Sequence, residues 1–121
     1  MGYGIDANKK FQKELNSGTA ALVLLSLLAR AEEPMYGYQI AKRLESESGK
    51  LPMMKQGALY PVLRSMENSG LLASHVDPSI SGPPRRYYHI TAAGRDTLKS
   101  WKAIWDRTKT FVQVFLGGDH D

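Results

Sequence analysis

Gly57-Ala58-Leu59-Tyr60-Pro61-Val62-Leu63-Arg64-Ser65-Met66-Glu67-Asn68-Ser69-Gly70-Leu71-Leu72 decides the reading of this chain, together with Gly82-Pro83-Pro84-Arg85-Arg86-Tyr87-Tyr88-His89-Ile90-Thr91 downstream. Leu59, Val62, Leu63 and Met66 recur at helical spacing and give a short helix one apolar face. Gln56, Tyr60, Arg64 and Asn68, each four apart, lie on the opposite face. Gly70 suits the left-handed position that closes such a helix. Pro61 sits close to the helix start, where it forfeits only the bond to the Gly57 carbonyl and is tolerated. Residues 72–76 and 85–90 are short strand candidates. The Asp77-Pro78-Ser79-Ile80-Ser81-Gly82-Pro83-Pro84 between them is a loop by its turn residues. Helix, strand, loop and basic aromatic strand, in that order, describe a recognition helix followed by a β-wing, and so a surface that reads DNA.

Upstream, residues 19–31 are dense in Leu and Ala and predict a nearly buried helix. Residues 9–15 carry mixed charge with Phe11 and Leu15 four apart, a weak amphipathic turn or two. Gly18 between these segments either breaks them or lets them pack closely, and residues 1–5 are expected to fray. Pro34 disfavours helix at Glu33 and ends the element. A second helix is expected over residues 35–45, with Ile40, Ala41 and Leu44 on one face and Gly49 as its closing residue. Downstream, Thr91 is the natural cap of a last helix from Ala92 to about Leu116. On it Leu98, Trp101, Trp105, Thr108, Val112 and Phe115 form one long apolar stripe.

Composition sets wide bounds. At 121 residues one compact unit is expected. A formal charge of +4 permits a polyanionic partner without requiring one. The absence of cysteine excludes disulfides, thiol catalysis and Cys-ligated zinc. Residues 1–16 are polar, with no basic segment leading into an apolar run, so a secretory signal is not expected. The longest apolar stretch, residues 20–29, contains Ser26 and is far too short to span a bilayer; a cytoplasmic protein without a membrane partner is the expectation. His75, His89 and His120 are scattered rather than set at ligand spacing, so neither metal nor cofactor is expected. No Ser/His/Asp grouping or P-loop is present, which argues against an enzyme.

Three linked motifs carry a family resemblance. Tyr36-Gly37-Tyr38-Gln39-Ile40 resembles the "YGYEI" opening of the second helix in PadR transcriptional regulators. Gly57-Ala58-Leu59-Tyr60-Pro61-Val62-Leu63 is similar to their "GTLYPAL" recognition helix, and Arg85-Arg86-Tyr87-Tyr88-His89-Ile90-Thr91-Ala92-Ala93-Gly94 to their wing and fourth-helix start, "RRYYRLTxxG". The likeness covers roughly residues 19–105, in order and at the right spacings. Gln39 stands where the pattern has an acidic residue, and Ala92 where proline is common. The short last helix resembles the small-protein branch of the family. The resemblance implies a homodimeric repressor on an operator of double-stranded DNA. Some small members bind flat aromatic compounds at the dimer interface with a tryptophan of this helix, and Trp105, eleven residues after Gly94, falls about where that residue lies.

The expected fold is therefore mainly α with a small β-wing: a winged helix-turn-helix plus a long C-terminal dimerisation helix. Residues 1–18 form an arm contributing to the dimer, 19–91 the DNA-binding domain, 92–116 the dimerisation helix and 117–121 a flexible tail. Candidate DNA-binding residues are Lys55, Gln56, Gly57, Tyr60, Arg64, Arg85 and Arg86. Arg reads guanine bidentately, Gln reads adenine, and Tyr or Lys bonds phosphate. The bland alternatives are a solvated helix face and a soluble strand edge. Strand alternation places Arg86, Tyr88 and Ile90 on one face and Arg85, Tyr87 and His89 on the other, with Tyr88 and Ile90 the better core candidates. Candidate dimer contacts are Phe11, Leu15, Leu98, Trp101, Trp105, Thr108, Val112 and Phe115. Trp101 and Trp105 either pack in the dimer or also floor an effector pocket between subunits. A rival function is a winged-helix protein–protein module without DNA readout, which calls for fewer cations and a larger apolar patch on the second short helix.

Overall fold

The computed structural model describes residues 3–48, 56–78 and 82–117. The elements in chain order are α1 (Tyr3–Arg30), β1 (Met35–Tyr36), α2 (Gly37–Ser48), α3 (Gln56–Asn68), β2 (Leu72–Asp77), β3 (Arg85–Ile90) and α4 (Ala92–Leu116). Three antiparallel strands in the order β1-β3-β2 make the wing and its extension. Lys55, Gly49, the loop at 79–81 and the tail at 118–121 lie outside the described residues.

α1 departs from expectation by being one helix of 28 residues. It begins at Tyr3 and runs through Gly18, so the expected arm and the first buried helix are a single element. Among the described residues a Cβ at Gly18 would meet nothing within 4 Å, so close packing there does not explain this glycine. A lone glycine costs a helix about 1 kcal/mol. The anchored apolar half, with Ala20, Leu24, Leu25 and Leu28 buried, outweighs that cost and carries the polar N-terminal half with it.

Met35 and Tyr36, expected in the second helix, instead form a two-residue strand, paired Met35↔Tyr88 and Tyr36↔Tyr87. Pro34 keeps the chain extended just before them. Gln39 then closes the start of α2, its Oε1 accepting from the Tyr36 N–H at 3.1 Å. This is half of a capping box, which a glutamine fills as well as an acid does. Gly37 is buried, and a Cβ there would overlap the Tyr60 hydroxyl and stand 2.6 Å from its Cζ. The Tyr-Gly-Tyr motif thus makes a notch for an aromatic ring from α3.

The core lies where α1, α2, α3 and the sheet meet. Leu24, Leu25, Leu28, Ile40, Leu44, Leu59, Leu63, Met66, Leu72, Tyr88, Ile90 and Leu98 form one buried cluster. Tyr88 and Ile90 turn inward and His89 outward, in line with strand alternation. Leu98, expected at the dimer contact, is 5% exposed in a single chain and belongs to that chain's own core.

The turn from wing to α4 is tightly tied. Thr91 caps α4, its Oγ1 accepting from Gly94 N–H at 3.0 Å and donating towards the Gly70 carbonyl at 2.7 Å. Gly70, with φ 81°, and Gly117, with φ 80°, close α3 and α4 in the left-handed conformation. At Gly94 a Cβ would overlap the Leu71 carbonyl oxygen and lie 2.7 Å from Ile90 Cγ1. Because a backbone atom is in the way, Gly94→Ala is expected to cost about 1–3 kcal/mol through overpacking. Urea unfolding measures this, and a midpoint equal to wild type would show that the junction yields freely.

Candidate nucleic-acid interface

α3 turns Leu59, Leu63 and Met66 inward, and its outward face carries Gly57, Ala58, Pro61, Arg64, Ser65 and Asn68, all exposed. The centre of that face is thus Pro61 and Arg64, one step round from the row read from the sequence. Tyr60 sits at its margin: the ring fills the Gly37 notch, is half-buried and packs on the core. It is a packing residue with a hydroxyl at the edge, not a free side chain on a solvated face. Gln56 opens α3, and its side chain lies outside the described residues, as does Lys55. Ala58, Pro61 and Ser65 were not singled out in the sequence, although their helical angle relative to Leu59 and Leu63 places them outward. No large hydrophobic residue of α3 is exposed among the described residues.

The two wing arginines leave β3 on opposite faces, and both are exposed. Arg85 lies on the outer face with its guanidinium carbon 4.6 Å from the centre of the Tyr36 ring. Such a cation–π contact contributes about 0.5–1 kcal/mol at an exposed site and fixes where the charge stands. Tyr36, Tyr87 and His75 form a row across the three strands, Tyr36 edge-on to Tyr87 at 5.3 Å and His75 stacked on Tyr87 at 5.6 Å. Tyr38 continues the row, with Lys42 Nζ 5.8 Å over its ring. These aromatics brace the sheet from outside, where the core cannot reach.

Arg86 lies on the helix-facing side, where its Nη1 donates to Ser74 Oγ at 2.9 Å. Burial pushes the nearby Tyr88 hydroxyl above the ordinary tyrosine range; the Glu67 carboxylate adds to the shift, while Arg86 and Arg64 oppose it. On α2, Arg43 is paired with Glu47 at 2.6 Å, so its charge is largely spent within the chain.

At the far end of the molecule the apolar stripe of α4 divides. Trp101 is half-buried against the core of its own chain. Beyond it Ile104, Trp105, Phe111, Val112, Val114, Phe115 and Leu116 are all exposed, and so are Phe11 and Leu15 on α1. Thr108 is exposed between them. Phe111 and Phe115 sit edge to face at 5.0 Å. Ile104 and Phe111 belong to the same ridge as Trp105 and Phe115, and their spacing of seven marks them in the sequence too.

A helix presented beside a two-stranded wing, with arginines on both, defines a winged helix-turn-helix, a class whose work is binding DNA. The chain belongs to the PadR-like family of transcriptional regulators, whose model matches residues 24–100. It is similar to a PadR family transcriptional regulator from Eggerthella lenta, with 35% identity over 92% of this chain and 93% of that one, at a TM-score of 0.79. A transcriptional regulator from Clostridium thermocellum is 28% identical over 84% and 94% of the two chains, at 0.73. A PadR-like regulator from Bacillus cereus is 28% identical over 85% and 96%, at 0.68. No curated protein sequence matches the chain. No helix among the described residues is long and apolar enough to cross a membrane.

Proposed function

We propose that the protein is a homodimeric repressor that binds a two-fold operator through α3 and the wing, and that a planar aromatic effector releases it. The observation that carries this reading is the ridge from Ile104 to Leu116, which the chain itself leaves uncovered. Two such helices, with Phe11 and Leu15, bury each other's apolar faces and set two winged helices at a fixed separation. A pair of recognition helices so placed calls for a DNA site with matching symmetry.

The effector reading rests on Trp105, which is 40% exposed beside the half-buried Trp101. A flat ring stacked there near the two-fold axis gains apolar contact on both faces. Release of DNA requires that the ligand prefer a dimer geometry in which the recognition helices no longer match the grooves; equal affinity for both geometries shifts nothing. Planar aromatic compounds are therefore expected to quench the tryptophan fluorescence and weaken DNA binding. Trp105→Ala is expected to remove most of the quenching while leaving DNA binding largely intact. Absence of quenching across a broad panel, or a Trp105→Ala dimer that unfolds, would make the tryptophans packing residues only.

A further inference from the structure

One hydroxyl joins the recognition helix to the wing. Near the C-terminal end of α3, Glu67 Oε2 accepts a 2.6 Å hydrogen bond from Ser74 Oγ. Ser74 Oγ in turn accepts one of 2.9 Å from Arg86 Nη1. Ser74 belongs to β2 and Arg86 to β3, so this serine links three elements. Its only proton goes to Glu67 and a lone pair takes the proton of Arg86, so the group is used in both directions. The outer members are a carboxylate and a guanidinium, and hydrogen bonds to charged groups are the stronger kind. Strand pairing alone does not impose the contact: Ser74 stands opposite Tyr88, and Arg86 reaches it on the diagonal.

We propose that Ser74 is a positioning residue for DNA binding, holding the Arg86 guanidinium, and with it the base of the wing, at a fixed place relative to α3. The inference rests on the reading of α3 and the wing as the DNA-binding surface. Ser74 occupies one of the guanidinium's donors and leaves others for a phosphate. Arg86 is exposed while Ser74 and Glu67 are half-buried, so the chain runs from the protein outward to a cation at the surface. With alanine at 74 the guanidinium is free to close directly on Glu67, which draws it away from a phosphate and loosens the wing from the helix.

The test uses the full chain and a duplex that the wild-type protein selects from a random-sequence library, with binding measured across a salt series and stability by urea unfolding. Ser74→Ala is expected to weaken binding about tenfold and to reduce the salt slope by about one phosphate per chain. Ser74→Thr, which keeps the hydroxyl, should bind within about twofold of wild type, the span of small context effects. Glu67→Gln, which keeps the acceptor and removes a negative charge near the phosphates, should bind at least as tightly as wild type. In an Arg86→Ala background, Ser74→Ala should cost nothing further, because the two act through one contact. Losses that add, or a Ser74→Ala protein that binds like wild type, would overturn the positioning role and leave the DNA-binding reading standing. A wild-type protein that selects no duplex would overturn both.

Discussion

Raising the salt from about 50 to 200 mM is expected to weaken operator binding by roughly 10³–10⁵-fold, if the dimer neutralises on the order of 6–10 phosphates. The cations that would do this are placed for it. Arg64 is exposed at the centre of the outward face of α3, and Arg85 and Arg86 leave opposite faces of β3. A dimer offers each of them twice, with Lys55 at the entry to α3 as a further candidate. The three arginines are not expected to act alike. If Arg64 reads a base edge, Arg64→Ala costs about 1–3 kcal/mol and relaxes preference at one position of the site. Arg85, held over Tyr36, is a backbone contact on this account, so Arg85→Ala should weaken all sequences alike and flatten the salt slope. Fluorescence anisotropy with a labelled duplex over a salt series measures both effects. Affinity that does not change with salt would contradict the account, and equal, sequence-independent losses for Arg64→Ala and Arg85→Ala would show that Arg64 is not a reader.

The second large effect is expected at the far end of α4. Phe115 is 75% exposed in one chain and stands beside Phe111 on the uncovered ridge. If a second ridge covers it, losing the ring costs about 3–5 kcal/mol, and burying a carboxylate in its place adds to that. Phe115→Asp should therefore raise the dimer dissociation constant by at least roughly 10²–10³-fold. DNA affinity should fall with it, since a single winged helix makes half the contacts. Helical content should largely survive, because the core formed by α1, α2, α3 and the sheet does not include this residue. Sedimentation velocity at micromolar protein reads the change directly. A Phe115→Asp protein that remains a tight dimer would move the interface away from this ridge.

Local signals carried much of this architecture in the sequence. Thr91 as cap and the helix end at Leu116 are stated by single residues and by the uninterrupted periodicity between them, and the structure has α4 over Ala92–Leu116. The strand Arg85–Ile90 was legible because Pro84 and Thr91 bracket an aromatic run. What was not legible depends on partners distant in sequence. Met35 and Tyr36 are too few to show an alternating pattern, and only Tyr87 and Tyr88 across the sheet make them a strand. Gly18 leaves a break and a close packing equally open in the sequence because propensity is local, whereas the continuity of α1 is supported by residues packed a turn or more away. The polar hydroxyl of Tyr60 points to an outward place, but its ring is taken up by a notch that exists only because residue 37 is glycine. The stripe on α4 is continuous in the sequence, but in the folded chain it divides into two surfaces. Leu98 and Trp101 serve the chain's own core, and the residues beyond them are uncovered. Strand alternation did separate Arg85 from Arg86, but neither the tyrosine under one nor the serine holding the other has a signature in sequence spacing.

On the proposed function, two chains act together on one two-fold DNA site. Sedimentation equilibrium of the wild-type protein with a duplex selected from a random-sequence library, at micromolar concentrations and low salt, weighs that complex directly. Two chains per duplex are expected, with no appreciable species holding one. A complex of one chain per duplex, or no complex, would contradict it.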